Sequence, residues 1–225
     1  ILVAANKRQP CNEVARFIME DLDKAISLMQ DGFDKNHTRI SPDAARLFKS
    51  RVALYEGSWL TYFAGTAFVP NGEGWPGKAK EYNANYQYPT GSVDAEAKYF
   101  LQESAKAAEM VADKYKDQLM VNTGTIPQKE GDPQNPYFNI WGTTDMSGTP
   151  EVILWRQYSK ELGVVNNVEV GVQHGDFGVG LTRSMVEGYV MKDGKPIYNS
   201  AYTYSDQTIA DVATNRDPRL TIFLK

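Results

Sequence analysis

Cysteine and histidine are scarce in this chain, and their scarcity removes whole classes of chemistry. A single cysteine, Cys11, excludes an internal disulfide framework and any zinc cluster built on cysteines. The only histidines are His37 and His174, so a nucleophile–base triad would have to use one of them. Neither has the setting for it: there is no G-x-S-x-G, and Cys11 follows KRQP at a helix start. His174 reads as a polar loop residue and His37 as an exposed one. No apolar run reaches the length of a transmembrane helix. Basic residues are not in excess either. With 24 Lys and Arg against 28 Asp and Glu, the net charge is −4 and the pI near 5.3. That balance argues against nucleic acid or an anionic membrane as the main partner.

Two partial motifs fail their context. Gly175, Gly178 and Gly180 in HGDFGVG suggest a phosphate loop, yet no Lys-Ser/Thr follows and no βαβ unit surrounds them. Asp34, Asn36 and Thr38 imitate the start of a calcium loop. Arg39 stands where its glycine belongs and Ala45 where its closing glutamate belongs, which leaves a solvated loop. Neither a metal nor a cofactor is expected.

What is present is helix. Ser41 to Trp59, SPDAARLFKSRVALYEGSW, opens on an N-cap serine, a proline at the first helical position and an aspartate at the positive end of the dipole. Ala44, Ala45, Phe48, Val52, Tyr55 and Trp59 recur at three- and four-residue steps, with Leu47 and Leu54 widening the face. Gly57 falls where a C-terminal cap would end the run. Two partners carry the same design. Asn12 to Met29 lines up Val14, Phe17, Ile18, Leu22, Ala25, Ile26 and Met29, and Val93 to Tyr115 lines up Ala97, Phe100, Leu101, Ala108 and Val111. Three amphipathic helices in a row predict one antiparallel layer, with Phe17, Phe48 and Phe100 inside it.

Between the second and third helices, residues 60–92 are rich in Gly and Pro, so no long regular element is expected. Tyr62, Phe63, Phe68, Trp75, Tyr82, Tyr86 and Tyr88 crowd the same stretch, and so many rings speak against disorder. They can pack the loop onto the helices or show their faces to a ligand. Residues 117–150 are loop-like again, with NPYFNIWG around Trp141. Val152 to Trp155 reads as a buried strand, and Val168, Val170 and Val172 alternate as a half-buried one. Thr182 caps a short helix through Gly188. Tyr189 to Tyr198 has the pattern of a hairpin turning at Asp193-Gly194, and NRDPRL at 215–220 that of a turn holding two arginines beside an aspartate.

Read together, DLDKAISLM and DAARLFKSRVALYEGSW resemble the helical pattern of the SusD/RagB family of outer-membrane nutrient-binding lipoproteins. AKYFLQESAKAAEMVAD is similar to the next helix of that family's tetratricopeptide-like layer. PEVILWRQYS resembles the strand that follows it, and GLTRSMVEGYVMKDGKPI with NRDPRL the entry to the C-terminal part. The match runs from about Asn12 to Leu220.

The resemblance implies a mainly α fold, a tetratricopeptide-like helical layer with long irregular loops and a few short strands. It makes residues 1–225 one SusD-like domain fragment, with the layer at 12–116 and a loop-rich region at 117–225. The apolar start at ILVAANKRQP and the apolar stop at TIFLK lead us to expect an interior piece of a longer protein. By function, the resemblance implies a non-catalytic glycan-binding subunit on the outer face of a Bacteroidetes-type outer membrane. Lipid-anchored in full length, it would hand oligosaccharide to a TonB-dependent, SusC-like transporter.

Sugars offer apolar faces edged with hydroxyls, which suit tryptophan and tyrosine platforms. Trp75, between Gly74 and Pro76, Tyr82, Trp141 and Tyr158 are therefore the candidate contacts. Trp59 and Trp155 fall on an apolar helix face and an apolar strand and are assigned to the core. Two other readings stay open. One is a tetratricopeptide-like peptide-binding module. The other is a helical glycoside hydrolase, which needs two carboxylates roughly 5–10 Å apart; Asp145, Glu151, Asp176 and Glu187 are the available ones.

Overall fold

The computed structural model describes residues 7–32, 34–127, 129–140, 142–168, 170–171 and 180–224. The fold is mainly α. The chain divides into two compact units, one of residues 1–119 with 150–155 and one of 120–149 with 156–225.

The first unit is built on α1 (Cys11–Leu28), α2 (Pro42–Tyr62) and α3 (Val93–Tyr115). Their starts follow from local chemistry. Ser41 Oγ accepts from the Ala44 amide at 3.2 Å, and Ser92 Oγ accepts from Ala95 at 3.1 Å. The helix α2 packs against both others, antiparallel to each: its Asp43 meets Lys114 and Tyr115 at the far end of α3. Midway along α2, Lys49 Nζ lies 2.8 Å from Asp23 of α1 and 3.4 Å from Glu103 of α3.

Small side chains set the α2–α3 contact. Ser50 and Ser104 exchange hydroxyl-to-carbonyl hydrogen bonds at 3.0 and 2.9 Å, flanked by the buried Ala53, Ala97 and Ala107. Gly57 does not end α2, which runs on to Tyr62. A Cβ at Gly57 would sit 2.9 Å from Leu101 Cγ and 3.1 Å from the Ala97 carbonyl. The glycine thus serves close packing of the two helices, and the helix tolerates it.

The layer differs from expectation in what it hides. Phe100 is fully buried, but Phe17 and Phe48 are 62 % and 54 % exposed. Because the helices approach through alanine, serine and glycine, the large residues of α1 and α2 are left at the margins of the contact. The core proper gathers Ala15, Met19, Ala53, Leu60, Val69, Tyr88, Ala97 and Phe100. Trp59, half-buried, packs on that core and on Phe63, whose ring centre is 4.3 Å away.

Residues 152–155 do not form the expected strand. Instead the Trp155 amide donates to the His37 carbonyl at 2.9 Å and its indole Nε1 to the Asn36 carbonyl at 2.6 Å. Trp155 is half-buried against this loop, not packed in the core. The loop itself is organised by Asp34, whose carboxylate accepts from the amides of Asn36, Thr38 and Arg39 at 2.7–3.0 Å. No cluster of metal-binding side chains occurs among the described residues.

The second unit contains short elements: α4 (Pro136–Asn139), α5 (Arg183–Gly188), α6 (Ile209–Ala213) and a 3-10 turn at Pro218–Ile222. Thr182 caps α5 as expected, its hydroxyl accepting from Met185 at 3.1 Å. Of the alternating valines, Val168 and Val170 are helical and not extended, and Val172 lies outside the described residues. Strand pairing among the described residues is limited to single bridges. The turn at Asp193-Gly194 forms, with Gly194 at φ 76° and Met191 donating to Lys195 at 2.8 Å. Its arms do not extend into a hairpin. Residues 190–192 pair with 215–217 through Lys192 to Asn215 and Asp217 to Val190.

That pairing is held by the NRDPRL turn. Arg216, nearly buried, donates to the carbonyls of Val186 and Tyr189 at 2.6 and 2.7 Å and lies over the Tyr204 ring. Asp217 pairs with Arg219, whose Nε is 3.0 Å from both of its oxygens. The two arginines therefore have separate duties, one binding carbonyls and one binding the aspartate.

Candidate functional site

The loop between α2 and α3 has little regular structure, only 3-10 turns at Pro76–Ala79 and Glu81–Asn83, yet it is firmly tied down. Tyr88 donates its hydroxyl to the Pro70 carbonyl at 2.6 Å, and Asn71 Nδ2 donates to the Tyr86 carbonyl at 3.0 Å. Gly72 passes so close to Thr66 that a Cβ would fall 1.8 Å from its carbonyl oxygen. The rings then form a chain: Trp75 lies 5.9 Å from Tyr86, and Tyr86 lies 5.4 Å from Tyr88 in an edge-on contact. Gly77 lies beside the Trp75 indole, and a Cβ there would stand 2.2 Å from its Cζ2.

This arrangement opens a cavity of about 420 Å³ between the loop and the residues leading into α1. Trp75, Tyr82 and Phe68 supply ring surface, Cys11 belongs to the wall, and Arg8 and Lys80 bring the charge. Lys7 stands over the Tyr82 ring, its Nζ 5.5 Å from the centroid. Among the described residues, no aspartate or glutamate lines the cavity.

A buried polar network braces the site. Tyr86 Oη donates to Asn12 Oδ1 at 2.8 Å, and Asn12 Nδ2 donates to Glu96 Oε1 at 2.9 Å. Arg16 holds Glu96 with Nε at 2.7 Å and Nη2 at 3.0 Å, and Thr90 donates to it at 2.7 Å. The guanidinium of Arg16 also lies 3.9 Å from the centre of the Tyr99 ring. Burial alone would raise the Glu96 carboxyl, but the bonds from Arg16, Asn12 and Thr90 outweigh it and hold it below the usual range.

Two neighbours go the other way. Burial first, and the charge of Glu96 as well, push the Glu56 carboxyl up, and its Oε1 has no hydrogen-bond partner among the described residues. Burial, then Glu56, push the Cys11 thiol up to about 12. At neutral pH Cys11 is a protonated thiol and not a nucleophile.

The structure brings two of the four expected contacts, Trp75 and Tyr82, onto one cavity. Tyr158 lies in the second unit, exposed, with the Arg156 guanidinium 5.7 Å from its ring centre. Trp141 lies outside the described residues. Of the carboxylates considered for hydrolysis, Asp145 is turned to the Ser147 amide and Glu187 to Arg183, both in the second unit, and Asp176 is outside the described residues. Glu151, in the first unit, is not among the residues that line the aromatic cavity.

Sequence reasoning missed Arg8, Lys80 and the bracing pair Tyr86–Asn12. Only Tyr86 had a local signal, as one of the rings crowded into the loop. The comparisons with known proteins add no relative: no family model, curated protein or solved structure matches the chain.

Proposed function

We propose that this chain binds oligosaccharide without turning it over, and that the cavity of Trp75 and Tyr82 is where it does so. The carrying observation is that two ring side chains, singled out as sugar platforms, line one cavity on an ordered loop. Such a wall stacks on the C–H face of a sugar ring, while Arg8, Gln9, Lys80 and Asn83 offer hydrogen bonds to its hydroxyls. That no described carboxylate lines the cavity supports binding over hydrolysis, since glycoside cleavage needs an acid and a second carboxylate flanking the bond.

The resemblance to the SusD/RagB family extends this proposal to a place. The protein of which this chain is part would sit lipid-anchored at the outer face of the outer membrane and pass its glycan to a TonB-dependent transporter. No described helix is long and apolar enough to cross a membrane.

A second reading, a tetratricopeptide-like peptide-binding module, is favoured by one observation. Between α1 and α2 runs an open cleft of about 490 Å³ lined by Val14, Ile18, Phe48, Val52 and Tyr55. A screen of immobilised glycans and of amphipathic peptides separates the two. Binding of glycans, competed by soluble oligosaccharide, is expected; binding confined to peptides and lost in Phe48→Ala would favour the second reading.

A further inference from the structure

The aromatic cavity carries charge of one sign. Its charged lining residues are Arg8 and Lys80, and both are cations. Elsewhere in the same unit Arg16 pairs with Glu96, Arg46 with Asp43, Lys49 with Asp23 and Lys114 with Asp43, while exposed cations such as Arg51 and Lys98 have no ion pair with any described residue. Arg8 and Lys80 have no ion pair with any described residue, and residues 1–6, just before Arg8, contain no acid. Glu73 and Glu81 stand near Trp75 and Tyr82 in the chain but do not line the cavity. In a protein of net charge −4, an aromatic cavity lined by two exposed cations and, among the described residues, by no acid is a local reversal.

We propose that the ligand of this cavity is an anionic oligosaccharide, carrying uronate carboxylates or sulfate esters. This rests on the glycan reading above and adds the charge of the sugar. The indole and phenol faces take the apolar side of a pyranose ring. The planar guanidinium of Arg8 suits a carboxylate or sulfate through paired N–H bonds, and Lys80 adds a point charge. Neutral sugar would offer both cations hydroxyl oxygens alone and leave part of the water around their charge in place. Anionic sugar replaces that water with charge-assisted hydrogen bonds beside low-dielectric ring surface.

The test is calorimetric titration with a panel of short oligosaccharides. Oligogalacturonate, oligomannuronate and a chondroitin sulfate oligosaccharide are compared with methyl-esterified oligogalacturonate, maltotetraose and cellotetraose. The expected result is that the tightest ligand is anionic and exceeds its neutral counterparts by about tenfold or more, the scale of one charge-assisted hydrogen bond. That preference should shrink at about 0.5 M salt, where the screening length falls to a few ångströms. It should vanish in the double variant Arg8→Gln/Lys80→Gln, whose melting is checked first. A neutral ligand that binds as tightly as the anionic ones, with dependence on Trp75, would overturn the proposed charge and leave the glycan reading standing. Anionic binding that survives unchanged in the double variant would overturn the proposal as well. Failure of every sugar, charged and neutral, would overturn both.

Discussion

Tyr86 donates its hydroxyl to Asn12 across 74 residues of sequence, at 2.8 Å, and by that bond the aromatic loop is fastened to the first turn of α1. Asn12 is fully buried and passes the connection to Glu96 on α3. The Trp75 ring leans on Tyr86, so the candidate platform is positioned by a network whose members are not among the cavity's lining residues. Tyr86→Phe should cost about 1–3 kcal/mol, the penalty for leaving a buried acceptor unpaired. Urea denaturation measures it. Glycan affinity should fall with it if the bracing matters, and an unchanged affinity would show that Trp75 holds its position alone.

Removing Arg16 should be more severe. Glu96 is wholly buried, and Arg16→Met would strip its ionic partner while leaving the charge in place. Breaking a buried pair in this way costs about 3–5 kcal/mol. The pH dependence follows from the same geometry. Because the folded-state value of Glu96 is depressed, its stabilisation is present above the ordinary carboxylate value of 4.5 and is lost as pH falls through the folded value. Wild-type stability should therefore drop on acidification, and Glu96→Gln should flatten that drop.

Glu56 predicts the opposite slope. Its folded-state value is raised, so its contribution is fully present below 4.5 and is lost as pH rises through the folded value. Glu56→Gln keeps the shape and removes the charge. It should stabilise the protein at neutral pH and change little near pH 4. Denaturation midpoints of the variant and the wild type across pH would show it; a variant weaker than wild type at neutral pH would mean that Glu56 has an ionic role the buried carboxyl does not reveal.

The α2–α3 contact depends on Gly57. Replacing it by alanine would gain about 1 kcal/mol of helix propensity, which partly masks the effect of the clash. Gly57→Val has little such gain and forces atoms into Leu101 and the Ala97 carbonyl. Overpacking of this kind costs about 1–3 kcal/mol, read from thermal or urea unfolding.

Much of the helical frame was legible because it is written locally. Ser41 and Thr182 cap the helices they were expected to cap. What could not be read was which side of each helix would be covered. An apolar stripe shows what can be buried, but Ser50, Ala53 and Gly57 decided how closely α3 approached, and Phe48 was left outside. Short strands failed for a related reason. Four apolar residues at 152–155, or three alternating valines, form a strand only where a partner strand exists, and none is present among the described residues. The site divides in the same way. Trp75 and Tyr82 announce themselves as rings in a loop of glycine and proline, whereas Arg8 reaches the same cavity from before α1, a juxtaposition that no local pattern records.

The most direct test of the account is calorimetry of the tightest-binding oligosaccharide on Trp75→Ala, Tyr82→Ala and Trp155→Ala, each confirmed to unfold cooperatively. Loss of a stacking platform at Trp75 or Tyr82 should cost about 1–3 kcal/mol, roughly ten- to hundredfold in affinity. Trp155, tied to the Asn36 and His37 carbonyls, should leave affinity as it is in the wild type. Unchanged affinity in both Trp75→Ala and Tyr82→Ala, with loss in a folded Trp155→Ala, would contradict the claim that the 420 Å³ cavity is the glycan site.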